Sequence, residues 1–182
     1  MSMSLRTERL LLRPWRDQDL AAFATMSADA QVMEFLPPLA EPEACAAWAA
    51  RLTAHWRDHG FGRWVVELPG EASFIGVVGL AWISYQAHFT PAVEIAWRLL
   101  RAYWGRGYAT EAARATLDYG FNKLGLAEIV AVTVPANLRS RQVMERLGMT
   151  RDPAEDYDHP NHPQGPWKRH VLYRLRNSRL AP

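Results

Sequence analysis

Three strand-like runs follow one another in this chain with no helical pattern between them: Arg63 to Leu68, Ser73 to Ile83 and Val93 to Leu100. The first alternates, with Trp64, Val66 and Leu68 on one side. The second is apolar on both faces, as a central strand is. A Pro69-Gly70 turn joins the two. Antiparallel neighbours can be linked by such short turns, whereas parallel strands need a long crossover. The meander therefore predicts an α+β chain rather than a doubly wound parallel sheet. A length of 182 residues, with no internal repeat and no linker-like shift in composition, suits one domain.

The remaining elements fall on either side of the meander. Glu8 to Trp15 reads as a first strand ended by Pro14, and Asp17 and Asp19 are N-cap candidates for a helix through Leu20, Phe23 and Met26. Pro37-Pro38 breaks the chain. Pro42 then stands where a helix begins and Gly60 where it ends, with Cys45, Trp48, Ala49, Leu52 and Trp56 spaced along one helical face. Ala109 to Leu124 is a further helix, stopped by Gly125, and Glu128 to Val134 is a β-branched strand. Asn137 caps a short helix closed by Gly148, residues 152–167 form a polar loop rich in Pro and His, and His170 to Leu175 alternates as a last strand. Trp48, Trp56, Trp64 and Trp82 fall on core faces.

The net charge of +2 is too small to indicate a nucleic-acid binder, but its distribution is uneven. Residues 1–91 carry 7 basic and 10 acidic side chains, a net −3; residues 92–182 carry 14 and 9, a net +5. An anionic ligand should favour the second half. One cysteine, Cys45, excludes an intramolecular disulfide framework and a Cys-cluster zinc site, and no apolar run approaches the roughly 18 residues of a membrane span. The start of the chain does not read as a signal peptide, so a cytoplasmic location is expected, without membrane or nucleic-acid partners. Asp156, Asp158, His159 and His162 are of metal-ligand type, but their loop offers no fixed helical geometry; they either line a pocket or are exposed, and no metal is expected.

The segment with the most chemistry is Val93 to Ala115, a strand, a loop holding Gly105 and Gly107, and a helix start near Ala109 or Thr110. Glycines let successive backbone N–H groups point at one ligand, and a helix N-terminus adds unpaired N–H groups and a positive dipole end. With Arg101 and Arg106 alongside, the segment can cradle a pyrophosphate; a plain tight turn is the other reading. It is not a Rossmann fingerprint, because Thr110 stands where the third glycine would, and it is not a P-loop, because Gly-Lys-Ser/Thr is missing.

The same segment resembles the GNAT superfamily of N-acetyltransferases. Trp104-Gly105-Arg106-Gly107-Tyr108-Ala109 is similar to that family's acetyl-CoA pyrophosphate loop, and Asn137 to Met149 is similar to its Asn-x-x-Ser stretch ending in Leu-Gly-Phe. Thr7 to Leu20 and Tyr103 to Ala112 point to the RimJ/RimL-like branch, and the likeness covers about residues 7–175. The resemblance implies a mixed, mostly antiparallel sheet with helices on both faces, a single α/β/α-layered domain over residues 1–182. It implies acetyl-CoA as co-substrate and transfer of its acetyl group to an amine, on a small molecule or a protein N-terminus, in a monomer or homodimer.

Residue by residue, the resemblance gives the cofactor site as Leu99, Trp104, Gly105, Arg106, Gly107, Tyr108, Ala109, Thr110, Asn137 and Ser140. Glu94 is the candidate general base, and the Leu99 N–H the candidate oxyanion donor. Met144 stands at the family's usual tyrosine position and cannot donate a proton, so Ser140 is the candidate partner of the leaving thiolate. The arginines at 139, 141 and 146 could meet the 3′-phosphate, and the −3 half would shape the acceptor side and favour a cationic amine. The alternatives are a non-catalytic acyl-CoA-binding sensor on the same fold and a nucleotide-dependent oxidoreductase.

Overall fold

The computed structural model describes residues 3–39, 41–162 and 164–178, so the outer ends of the 1–182 domain and one position of the 152–167 loop lie outside it. In chain order the elements are β1 (Leu5–Arg6), β2 (Leu11–Arg13), α1 (Asp19–Ala28), α2 (Pro42–His59), β3 (Arg63–Leu68), β4 (Ala72–Trp82), β5 (Val93–Leu99), α3 (Tyr108–Asn122), β6 (Glu128–Thr133), α4 (Leu138–Arg146), β7 (Thr150–Arg151), β8 (Tyr157–Asp158) and β9 (Arg169–Arg176). The strands lie in the order β1-β2-β3-β4-β5-β6-β9-β7, with β8 paired to β9. Every pairing is antiparallel except β5 with β6. The meander read from the sequence is therefore β3-β4-β5, and the fold is the expected α+β arrangement.

Alternation along the central strands gives the sheet two apolar faces, with a third, smaller cluster of Phe89, Val130, Tyr157 and Leu172 beside β6 and β9. Trp64, Val66, Ile75, Val78 and Ile95 face Ala112, Ala113, Leu117 and Met144 of α3 and α4. Val65, Phe74 and Val77 face Phe23, Met26 and Cys45 of α1 and α2. Pro42 opens α2 and Gly60, in the left-handed region at φ 75°, closes it, so the punctuation seen in the sequence operates as expected.

Two local readings are corrected. Asp19 is not an N-cap: it is the first residue of α1, whose cap position is Gln18 without a side-chain bond, and its buried carboxylate turns inward to Arg13. Trp82 is not core but 41% exposed at the end of β4, where its backbone N–H donates to His55 of α2. The expected strand from Glu8 to Trp15 shrinks to Leu11–Arg13, with the separate Leu5–Arg6 beside it.

Candidate active site

Beyond one register, Glu94 with Val130, β5 and β6 no longer pair. The strands separate and leave backbone edges facing a gap. A cavity of about 450 Å³ fills it, walled by Ile95 to Leu99 of β5, by Val132 and Thr133 of β6, by the 103–110 loop and by α4. The opposite edge of β5 stays bonded to β4 up to Leu99, paired with Gly76. A Cβ on Gly76, at φ +152°, would stand 2.2 Å from the Arg98 carbonyl oxygen, so only glycine permits this close approach. The close approach of β4 to the end of β5 thus depends on a glycine on β4.

The loop after β5 is shaped by two glycines in the left-handed region, Gly105 at φ 72° and Gly107 at φ 82°. α3 begins at Tyr108 with Gly107 at its cap and no side-chain cap. Its first intrahelical bond runs from the Glu111 N–H to the Gly107 carbonyl, 3.0 Å, which leaves the N–H groups of Tyr108, Ala109 and Thr110 without intrahelical partners. These three residues, Gly105 and Gly107 all border the cavity. The donor set and the absence of side chains at the turn fit a diphosphate.

The loop is held from behind. Glu111 accepts from Thr7 Oγ1 (2.6 Å) and from the Arg9 Nε (2.7 Å) and backbone N–H (2.9 Å), while Arg9 Nη1 donates to the Arg106 carbonyl (3.1 Å). Burial works against the Glu111 charge, but these bonds and the Arg9 cation hold its carboxyl below the usual range. Trp104 braces the other side: its Nε1 donates to the Leu99 carbonyl (2.9 Å) and the Arg139 guanidinium lies over its ring at 4.7 Å.

Most of the residues expected at the cofactor site meet at this cavity: Leu99, Trp104, Gly105, Gly107, Tyr108, Ala109, Thr110, Asn137 and Ser140. Arg106 does not; its side chain is exposed and lies over the Tyr103 ring. Asn137 caps α4 by accepting from the Ser140 N–H (3.2 Å) and ties the helix to β6 by donating to Thr133 Oγ1 (3.0 Å). Of the three helix arginines, Arg139 and Arg146 border the cavity, whereas Arg141 bonds Tyr173 and the Pro135 carbonyl.

Glu94 stands beside the point of separation rather than in the cavity wall. Its carboxylate is bonded to Arg63 Nη2 at 2.5 Å. Nearby, the hydroxyls of Tyr85 and Tyr157 are 2.5 Å apart. Burial pushes the Tyr85 phenol up to about 12 and Tyr157 higher still, with the Glu94 charge adding in the same direction for both. His159 and His170 complete this aromatic cluster. Asp156 and Asp158 of the same loop are spent on Arg151 and on Lys168 and Arg169. Among the described residues, no group of three or more His, Cys, Asp or Glu side chains could hold a metal ion, and no helix is long and apolar enough to cross a membrane.

Sequence reasoning missed two contributors. Gln31, Val32, Phe35 and Leu36, in the segment after α1, form one wall, though their stretch shows no periodicity. Arg98 lines the cavity from within a strand, where a lone charge in an apolar run gives no signal of its role.

Comparison with known proteins agrees with this geometry. Residues 9–150 match the model of the acetyltransferase (GNAT) domain. The chain is 33% identical to YkkB of Bacillus subtilis over 146 residues, covering 80% of this chain and 84% of that one. It is 30% identical over 141 residues to the spermidine N(1)-acetyltransferase of Escherichia coli, covering 76% and 72%. A GNAT-family acetyltransferase structure from Bacillus anthracis superposes with a TM-score of 0.77 at 29% identity, covering 96% of this chain and 98% of that one. The chain therefore belongs to the GNAT acetyltransferase family and is an acyltransferase enzyme.

Proposed function

We propose that this enzyme transfers the acetyl group of acetyl-CoA to an amine by direct attack, with both substrates bound together. The observation that carries the reading is the opening of the sheet after Glu94 and Val130, with the N–H groups of the α3 start at the edge of the same cavity. The glycine loop and the first turn of α3 take the diphosphate. The free edge of β5 takes the pantetheine arm by backbone pairing, and Asn137 holds the α4 side.

The reacting groups take the roles that the family resemblance implies. The acceptor nitrogen gives up a proton through water to Glu94, whose bond to Arg63 fixes its orientation. The nitrogen then forms a bond to the thioester carbonyl carbon, with the Leu99 N–H facing the developing oxyanion. The C–S bond breaks, the nitrogen sheds its second proton to solvent, and the thiolate takes a proton from Ser140, which recovers one from solvent. Glu94 returns its proton to solvent as the acetylated amine leaves. Met144 is sealed in the core and takes no part in proton transfer.

A free-thiol assay with acetyl-CoA over a panel of amines tests the proposal. Acceptor-dependent CoA release is expected; tight CoA binding with only background hydrolysis would identify an acyl-CoA sensor instead. Glu94→Gln should lower kcat by about 10²-fold, most strongly at low pH, where free amine is scarcest, with little change in CoA affinity. An unchanged pH profile would remove Glu94 from the reaction.

A further inference from the structure

The cavity wall contains three charged residues, Arg98, Arg139 and Arg146, and among the described residues no Asp or Glu lines it. The acids directly beside wall residues in sequence are already committed: Glu34 bonds Arg139, Glu94 bonds Arg63, Glu111 bonds Thr7 and Arg9, and Glu145 accepts from the Tyr173 hydroxyl. An expected preference for a cationic acceptor, drawn from the acidic first half of the chain, finds no counter-ion here.

Two of the three arginines have occupations. Arg139 is bonded to Glu34 at 2.7 Å and lies over Trp104. Arg146 stands at the mouth, where a second, more open cavity meets the loop beside α3, in place for the cofactor phosphates. Arg98 is different. It projects from β5 toward α1 and α2, with its guanidinium 5.7 Å from the Phe23 ring centre and 5.9 Å from that of Trp48. Its Nη1 is sealed from solvent and bonded to nothing. Burial, then the neighbouring Arg63 charge, pushes the guanidinium down to about 10, and among the described residues no carboxylate bonds it. A buried charge without a partner is costly, and a ligand that brings the anion removes that cost.

We infer that Arg98 is the anchor for a carboxylate on the acceptor, so that the amine acetylated here belongs to an amino-acid-like small molecule and not to a polyamine. This rests on the reading of the cavity as the acetyl-transfer site. It deepens that reading by placing the acceptor between β5 and the α1–α2 face, with its amine toward the end of the pantetheine arm. A carboxylate suits the planar guanidinium, which lies beside the stacked Phe23 and Trp48 rings.

Calorimetry on the CoA-loaded protein, with N-acetyl-amino acids and their matching methylamides as probes, tests the anchor without relying on turnover. For at least one side chain the acid should bind about tenfold or more tightly than its methylamide. That ratio should fall to near one in Arg98→Met and recover in part in Arg98→Lys, which keeps the charge if the Met variant folds poorly. Failure of every acid to bind, equal binding of acid and methylamide, or a preference that survives in Arg98→Met would each overturn the inference. Thiol release is read separately on the free amino acids and on spermidine. Selective turnover of spermidine would overturn the carboxylate anchor while leaving acetyl transfer standing. Acid binding through Arg98 with no thiol release from any amine would do the reverse.

Discussion

Arg13 and Asp19 are both sealed from water, and their geometry leaves little slack. Two guanidinium nitrogens of Arg13 bond the two Asp19 oxygens at 2.8 Å, its Nε bonds Glu67 at 2.7 Å, and Nη2 also donates to the Ser73 carbonyl. The cluster fastens the start of α1 to β2, β3 and β4. Removing one partner strands the other charge in a dry site. Arg13→Met should therefore lose about 3–5 kcal/mol of unfolding free energy in urea titration, and the double variant Arg13→Met/Asp19→Leu should recover part of that loss. Additive losses would show that the two charges act independently. This cluster explains why Asp19 was misread from sequence. Its place at a helix start is visible locally, but the Arg13 side chain that turns it inward is itself held by residues up to 60 positions away. Arg98 was silent for the same reason: the face of a strand residue is a property of the sheet, not of its neighbours in the chain. Asn137, whose cap bond reaches only three residues, was legible.

At the scale of elements, the strand–loop–helix unit carries the cofactor hypothesis and was also the part most readable in sequence. The expected helix start at Ala109 or Thr110 falls within two residues of the observed Tyr108, because caps and turns are short-range. What holds the loop in place was not readable, since Thr7 and Arg9 reach Glu111 across more than 100 residues. Gly107 tests the loop directly. At φ 82° a side chain is strained, and a β-branched one most of all. A valine Cβ would stand 3.4 Å from Arg9 Nη2, which can move aside, so the damage should come from the backbone and not from a clash. Gly107→Val should weaken CoA binding by at least about tenfold, from lost alignment of the N–H groups. Retained affinity in calorimetry would mean that the diphosphate lies elsewhere.

For the whole molecule, the uneven charge of the two halves takes on a concrete meaning. The charged residues of the cavity wall, Arg98, Arg139 and Arg146, all come from the basic half. The acidic half instead contributes carboxylates to ion pairs that hold the fold, such as Asp19, Glu67, Asp29 and Glu34. The same division predicts how the molecule responds to acid. At the β9 edge, His159 lies 4.8 Å from His162 and 4.9 Å from His170 between ring centres, against Tyr85 and Tyr157. Burial, then the neighbouring histidine charges, lowers His159 to about 4, and burial lowers His170 as well. A histidine whose folded value lies below its unfolded one is neutral in the fold and takes its proton more readily in the unfolded chain. Its contribution is therefore complete above the ordinary value of 6.5 and is lost progressively as pH falls toward 4. The carboxylates held low by partners, Glu111 and Asp156 among them, extend the loss as pH falls further through their folded values. Urea unfolding at neutral pH and at steps down to pH 4 should show stability beginning to fall below about pH 6.5, ahead of the usual carboxylate range. His159→Gln should remove on the order of 1 kcal/mol of that early fall, less than the bare shift because the ring is partly solvated. An unaltered acid slope in the variant would mean that His159 keeps its ordinary affinity for protons, and that the cluster is looser than its ring contacts imply.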